Sequence, residues 1–154
     1  MVLDIFRLGV DLFSQANEAR WNPFSLEGNL LLFFRDLKKS IDSKDIQKLQ
    51  KLISDEYYSR SFINTNKHQL LSYFRSSFEA MPFFVHPSLE VDICRLPEVK
   101  DQRVSLVFKP ILNVQTLEIT LMSKPFGTQE RIALLLERDT KSGLFSIINM
   151  EDIY

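Results

Sequence analysis

The 154-residue chain is 45% apolar and 25% charged, with a formal net charge of −1, proportions that fit one globular domain. The near-neutral balance excludes a protein steered to phosphate backbones by clustered Lys and Arg, so no nucleic-acid partner is expected. Cys94 is the sole cysteine, which rules out an internal disulfide, and His68 and His86 alone add little to a metal site; no metal and no cofactor are expected. The longest apolar run, Leu30-Leu31-Leu32-Phe33-Phe34, is too short to span a membrane. Asp4 and Arg7 interrupt the apolar start of the chain, unlike a signal peptide, and the expected location is the cytoplasm.

The first half reads as helices. Leu3, Phe6, Val10 and Phe13 recur at helical spacing over residues 2–19, with Asp4, Arg7, Asp11 and Gln15 on the polar side. Trp21-Asn22-Pro23-Phe24 ends that pattern. A second helix is expected from Ser25 through Leu30, Phe33, Phe34, Leu37 and Ile41. Asp42-Ser43 is placed to cap a third, with Ile46, Leu49, Leu52 and Ile53 as its stripe. Tyr57 to Ile63 reads as a short strand, and Asn64-Thr65-Asn66 as a turn or cap before a fourth helix carrying Leu70, Leu71, Phe74 and Phe78.

After His86-Pro87 the period becomes two. Leu89, Val91 and Ile93 alternate with Glu90 and Asp92, and Leu117, Ile119 and Leu121 with Thr116, Glu118 and Thr120. Val104, Leu106 and Phe108 form another such set. Ile132-Ala133-Leu134-Leu135-Leu136 is apolar on both faces, the mark of a central or doubly covered strand. Leu144 to Ile148 closes the series. Pro97 to Asp101, Asn113-Val114, Lys124 to Gly127 and Thr140 to Gly143 read as the separators. Such short connections favour an antiparallel meander, and the order of elements gives one α+β domain.

The stretch from Leu26 to Met150 resembles the nuclear-transport-factor-2-like superfamily, which includes ketosteroid isomerase and polyketide cyclase relatives. The resemblance is carried by Ile41 to Ile46 and Leu52-Ile53-Ser54-Asp55-Glu56-Tyr57, by the helix Lys67 to Ala80, and by Gly143 to Met150. It implies N-terminal helices packed in a curved antiparallel sheet, a cone-shaped half-barrel with a pocket at its wide end, and pairing through the outer sheet face. Residues 1–25 then form a helical extension, and 26–154 the domain.

The isomerase branch places an acidic base on or just after the short strand. The corresponding Tyr58-Ser59-Arg60-Ser61-Phe62 holds Arg60 and no carboxylate. The tyrosine donor expected on the first family helix is missing, since Leu30 to Ile41 contains only Phe33 and Phe34 as aromatics. Phe cannot donate a hydrogen bond to a developing oxyanion. The residues therefore favour a non-enzymatic role, either binding a small apolar ligand or associating as a homodimer. Phe33, Tyr58, Phe74, Phe78, His86 and Asp92 are the ligand-pocket candidates. The thirteen Phe of the chain are more simply core. Glu118, Ala133 and Leu135 are the dimer-interface candidates. The alternative is a small-pocket isomerase, dehydratase or cyclase using Tyr58, His86 and Asp92. A third reading has residues 2–19 dock on a partner, a membrane surface or their own domain.

Overall fold

The computed structural model describes residues 28–61, 65–115, 120–125 and 131–153. The N-terminal extension at 1–25 lies outside them. Helix α1 spans Gly28–Asp42, and its stripe of Leu30, Phe33, Phe34, Leu37 and Ile41 is buried, as the spacing requires. The next helix starts later than Asp42-Ser43 suggests. Lys44 adopts φ 57°, which extends the turn, and Asp45 becomes the cap by accepting from Lys48 N. Helix α2 is therefore Ile46–Lys51. Helix α3, Lys67–Glu79, opens on a capping box in which Asn66 and Gln69 satisfy each other's backbone N–H.

The strands are β1 (His86–Lys100), β2 (Arg103–Gln115), β3 (Thr120–Pro125), β4 (Arg131–Arg138) and β5 (Phe145–Ile153). They form one antiparallel sheet in the order β1-β2-β4-β5, with β3 also paired to β2. Strand β2 changes partner along its length, pairing β4 over residues 103–108 and β3 over 111–115. Two expected separators are strand instead, and part of a third is too, since Lys124 and Pro125 end β3. Pro97 lies within a register shift of β1, between Arg95 and Glu98, a place where a missing N–H costs no ladder bond. The hairpin turns only at Asp101 and Gln102, with Asp101 at φ 57° and Lys100 facing Arg103. Asn113 stays in the ladder, and its side chain hydrogen-bonds Glu90 across the strands. The segment after Tyr57 is not a regular strand over its described part. It makes a single bridge, Tyr58 to Asn66.

All three helices lie against one face of the sheet. Leu89, Val91, Val104, Leu106, Phe108, Ile132, Leu134, Leu136, Ile147 and Met150 join the helical stripes in one core. Phe34 is its hub, with ring centroids 5.2 Å from Phe33 and 6.3 Å from Phe108. The C-terminal end of α1 is fixed to β1 by polar contacts. Asp42 accepts from Leu89 N at 2.8 Å, and Lys38 Nζ donates to Asp42 and to Leu89 O, each at 2.8 Å. Chain between α2 and α3 is tied to β5, where Ile147 N donates to Leu52 O and Ser54 N to Ile147 O. Replacing Phe34 by Ala should lower unfolding free energy by about 3–5 kcal/mol, the usual cost of emptying a fully packed aromatic site; urea unfolding followed by fluorescence measures it.

Candidate functional site

Two places outside the ordinary core carry organised chemistry. The first is the outer face of the sheet. No helix among the described residues covers it, and the registers fix which side chains share a row. Arg95, Val107, Ala133 and Glu151 stand side by side across β1, β2, β4 and β5. The next row is Glu98, Ser105, Leu135 and Asn149. Val107, Ala133 and Leu135 form an apolar centre, and a shallow depression of about 240 Å³ lies over them. Charges of both signs ring that centre: Arg95, Lys109 and Arg131 with Asp92, Glu98 and Glu137. Arg103 Nε and Glu137 pair at 3.5 Å.

The second place is a polar cluster where the chain leaving α2 meets β5. Tyr57 is 2% exposed, and Ser59, Thr65 and Asp152 are buried with it. The Tyr57 hydroxyl lies near the side chains of Ser59 and Thr65, yet neither it nor Thr65 Oγ1 has a hydrogen-bond partner. Burial raises the Tyr57 pKa, and the nearby carboxylates of Glu151 and Asp152 raise it further against the opposing pull of Ser59 and Thr65. The phenol stays protonated and available as a donor.

Glu151 sits at the rim of this cluster in a cradle of donors. Its carboxylate accepts from Ser61 N at 2.8 Å, Ser61 Oγ at 2.7 Å, Arg60 N at 3.1 Å and Asn149 Nδ2 at 2.8 Å. Burial works to raise its pKa, but the hydrogen bonds from Asn149, Ser61 and Arg60 outweigh it and hold the group down to about 2. The cradle clips the chain at 59–61 to the end of β5, with Asp152 N donating to Ser61 Oγ at 2.8 Å.

The structure distributes the sequence candidates as follows. Phe33, Phe74 and Phe78 are buried in the core. Tyr58 is 52% exposed and fixed only through its backbone, donating to Ile148 O and accepting from Asn149 Nδ2. His86 and Asp92 are exposed on β1, so these three polar groups are not brought together. Ala133 and Leu135 occupy the apolar centre of the outer face, half-buried. Glu118 lies outside the described residues. Reading by residue type offers the hydroxyls of Tyr57, Tyr58 and Tyr73 alike and selects Tyr58, and it misses Asp152. Tyr57 directly precedes the candidate Tyr58, and Asp152 lies beyond Ile148, the last residue of the expected strand. The available signal is the two-residue spacing of Met150 and Asp152, which puts both on the inward face of β5. Among the described residues no group of three or more His, Cys, Asp or Glu side chains could hold a metal, and no helix is long and apolar enough to cross a membrane.

Solved structures share this arrangement. Aln2 from a Streptomyces species superposes with a TM-score of 0.65 at 14% identity, over 82% of this chain and 88% of that one. An NTF2-like protein of unknown function in nutrient uptake from Rhodospirillum rubrum gives 0.57 at 11% identity, over 81% and 98%. A putative calcium/calmodulin-dependent protein kinase type II association domain from Thiobacillus denitrificans gives 0.54 at 9% identity, over 77% and 89%. No protein-family model matches the sequence, and neither does any curated protein. The fold is the cone-shaped one of nuclear-transport-factor-2-like proteins. At these identities the likeness extends to the fold alone.

The Glu151 cradle predicts a pH signature. In the unfolded chain this carboxylate takes up a proton near its ordinary value of 4.5, whereas the folded chain holds it ionised down to about 2. Its stabilisation is thus fully present above about pH 4.5 and lost as pH falls toward 2. Glu151→Gln should lower stability most at pH 6 and progressively less by pH 3. A gap that does not narrow in paired urea titrations would remove the assignment.

Proposed function

We propose that this chain is a non-enzymatic association domain that forms a homodimer through the outer sheet face, around Val107, Ala133 and Leu135. The observation that carries the reading is that β4 is apolar on both faces. Ile132, Leu134 and Leu136 are spent on the core, while Ala133 and Leu135 point away from it and remain partly exposed. A strand of that kind is expected to be covered on both sides. The charge layout favours a second copy as the cover. A two-fold partner presents the same face, and because Arg95, Lys109 and Arg131 share it with Asp92, Glu98 and Glu137, each copy offers counter-charges to the other. One structural neighbour is described as an association domain, which agrees with this reading.

A second reading, a small apolar ligand held inside the cone, draws support from the Tyr57 and Thr65 hydroxyls. Both are buried and lack hydrogen-bond partners, and buried polar groups are normally satisfied. A ligand with one polar acceptor would meet the Tyr57 hydroxyl. An acid–base enzyme on this fold would draw on Tyr57 and Asp152 in place of Tyr58, His86 and Asp92.

Native mass spectrometry reads subunit count and retained small molecules together. The expected result is a dimer that Leu135→Asp converts to monomer, with far-ultraviolet circular dichroism unchanged. A wild-type monomer, or a variant that remains dimeric, overturns the association reading. An added small mass that disappears in Tyr57→Phe would support the ligand reading.

A further inference from the structure

Reversed end for end, the outer face of the sheet is complementary to itself. The residues of β4 that point away from the core run Arg131, Ala133, Leu135, Glu137. A cation and a small side chain occupy one end, and a larger side chain and an anion the other. Laid on a reversed copy about a centre at Leu134, Arg131 falls over Glu137 and Ala133 over Leu135. Strand β1 has a matching order at the same levels. Arg95 is level with Val107 and Glu98 with Ser105, and these are level in turn with Ala133 and Leu135. Further out, Asp92 is level with Lys109 and Lys100 with Arg103. The same reversal therefore brings Arg95 over Glu98 and Asp92 over Lys100. Asp92, Arg95, Glu98, Lys100 and Arg131 are exposed, and Glu137 is half-buried.

We propose that the two-fold axis of the dimer runs across the strands at the level of Leu134, so that Arg131 of each copy pairs with the partner's Glu137. This rests on the homodimer reading above and adds its register and the residues that select it. A two-fold that relates two sheets face to face lies in the plane between them, either across the strands or along them. An axis across the strands sets Arg131, Arg95 and Asp92 against the partner's Glu137, Glu98 and Lys100. One like-charged meeting remains, Arg103 over the partner's Lys109, and there Glu137 lies 3.5 Å from Arg103 Nε within the same chain. An axis along the strands, between β2 and β4, sets Lys109 against the partner's Arg131 and offers two opposite pairs in place of three. One of those two, Arg95 with the partner's Glu151, uses a carboxylate already held by Ser61 and Asn149 of its own chain. Reach also allows the pairing across the strands. Residues 131 and 137 each lie about 10 Å from the centre along the strand. Sheets packed about 10 Å apart and crossed by about 30° displace them sideways by about 5 Å, a gap that arginine and glutamate side chains span together. Exposed pairs of this kind set the register more than the affinity, and the apolar centre at Ala133 and Leu135 supplies the cover that β4 requires.

Two single charge reversals in the whole chain, Arg131→Glu and Glu137→Arg, test the register. Each variant alone meets like charge at both symmetry-related contacts, and its homodimer should be weakened at least about tenfold. Mixed in equal amounts, the two variants meet opposite charge at both contacts and should form a heterodimer as tight as the wild-type dimer. Native mass spectrometry resolves the three species by mass, and far-ultraviolet circular dichroism confirms that each variant is folded. Arg131→Glu mixed with Glu98→Arg carries the same opposed net charges but leaves like charges facing each other. That mixture should yield no more than the statistical share of heterodimer; an excess means that net charge alone drives pairing and overturns the register. Variants that remain homodimeric, or a first mixture without excess heterodimer, also overturn it while leaving the association reading intact. A tighter Arg131→Glu homodimer overturns it in favour of the axis along the strands. A wild-type chain that is monomeric removes the association reading and the register together.

Discussion

The sheet has to cover α1, and this requirement governs most of what the chain does. The helix carries Leu30, Phe33, Phe34, Leu37 and Ile41 on one side, and the strands, with Leu49 of α2 and Leu70 and Phe74 of α3, remove that stripe from water. Once Phe108 meets Phe34, the alternation of β2 is set, and the registers carry the setting to β1 and β4. A slip of one residue would expose Leu134 and bury Glu137, which no sheet of this composition tolerates. The outer face is defined by the same choice. Its mixture of small apolar side chains and paired charges is what remains after the inner face has been satisfied.

Polar groups work at the seams of this packing rather than at its centre. Lys38 and Asp42 occupy both the donor and the acceptor of the Leu89 backbone, binding the end of α1 to a strand edge. Glu151 does a comparable job for the chain at 59–61, collecting backbone and hydroxyl donors that have no ladder to join. Between them they hold the irregular connections against the regular elements, and this fixes where Tyr57 is buried. The buried hydroxyls of Tyr57 and Thr65 are thus a by-product of a clamp as well as a candidate contact for a ligand.

Much of this was legible in the residues. Helical spacing located α1 and α3, and the double-faced Ile132 to Leu136 run identified β4 as the strand with an unspent face. Local composition misled where tertiary pairing overrode it. Pro97 and Asn113 carry turn chemistry, yet the β1–β2 pairing resumes at Glu98 after the register shift that holds Pro97 and runs on through Asn113, which faces Ser88. Side-chain direction at the Tyr57–Tyr58 pair could not be read, since the segment makes a single bridge and has no period to count. Asp152 was hidden by the extra residue that β5 accommodates between the partners of Leu135 and Leu136, which disturbs the alternation just before it.

The change of partner along β2 divides the sheet into two wings on a shared spine. One wing is β3, paired to residues 111–115, and the other is β4 with β5, paired through residues 103–108. Pro110 stands at the fork, still facing Val91 of β1 but with no N–H to offer either wing. The wings share no ladder bond of their own among the described residues, so strain at β3 need not pass into β4. Evolution can therefore lengthen or shorten the chain between Pro125 and Arg131, and re-aim β3, without touching the strand that carries Ala133 and Leu135. In such a fold the β3 wing and the β4–β5 wing are free to diversify on separate schedules.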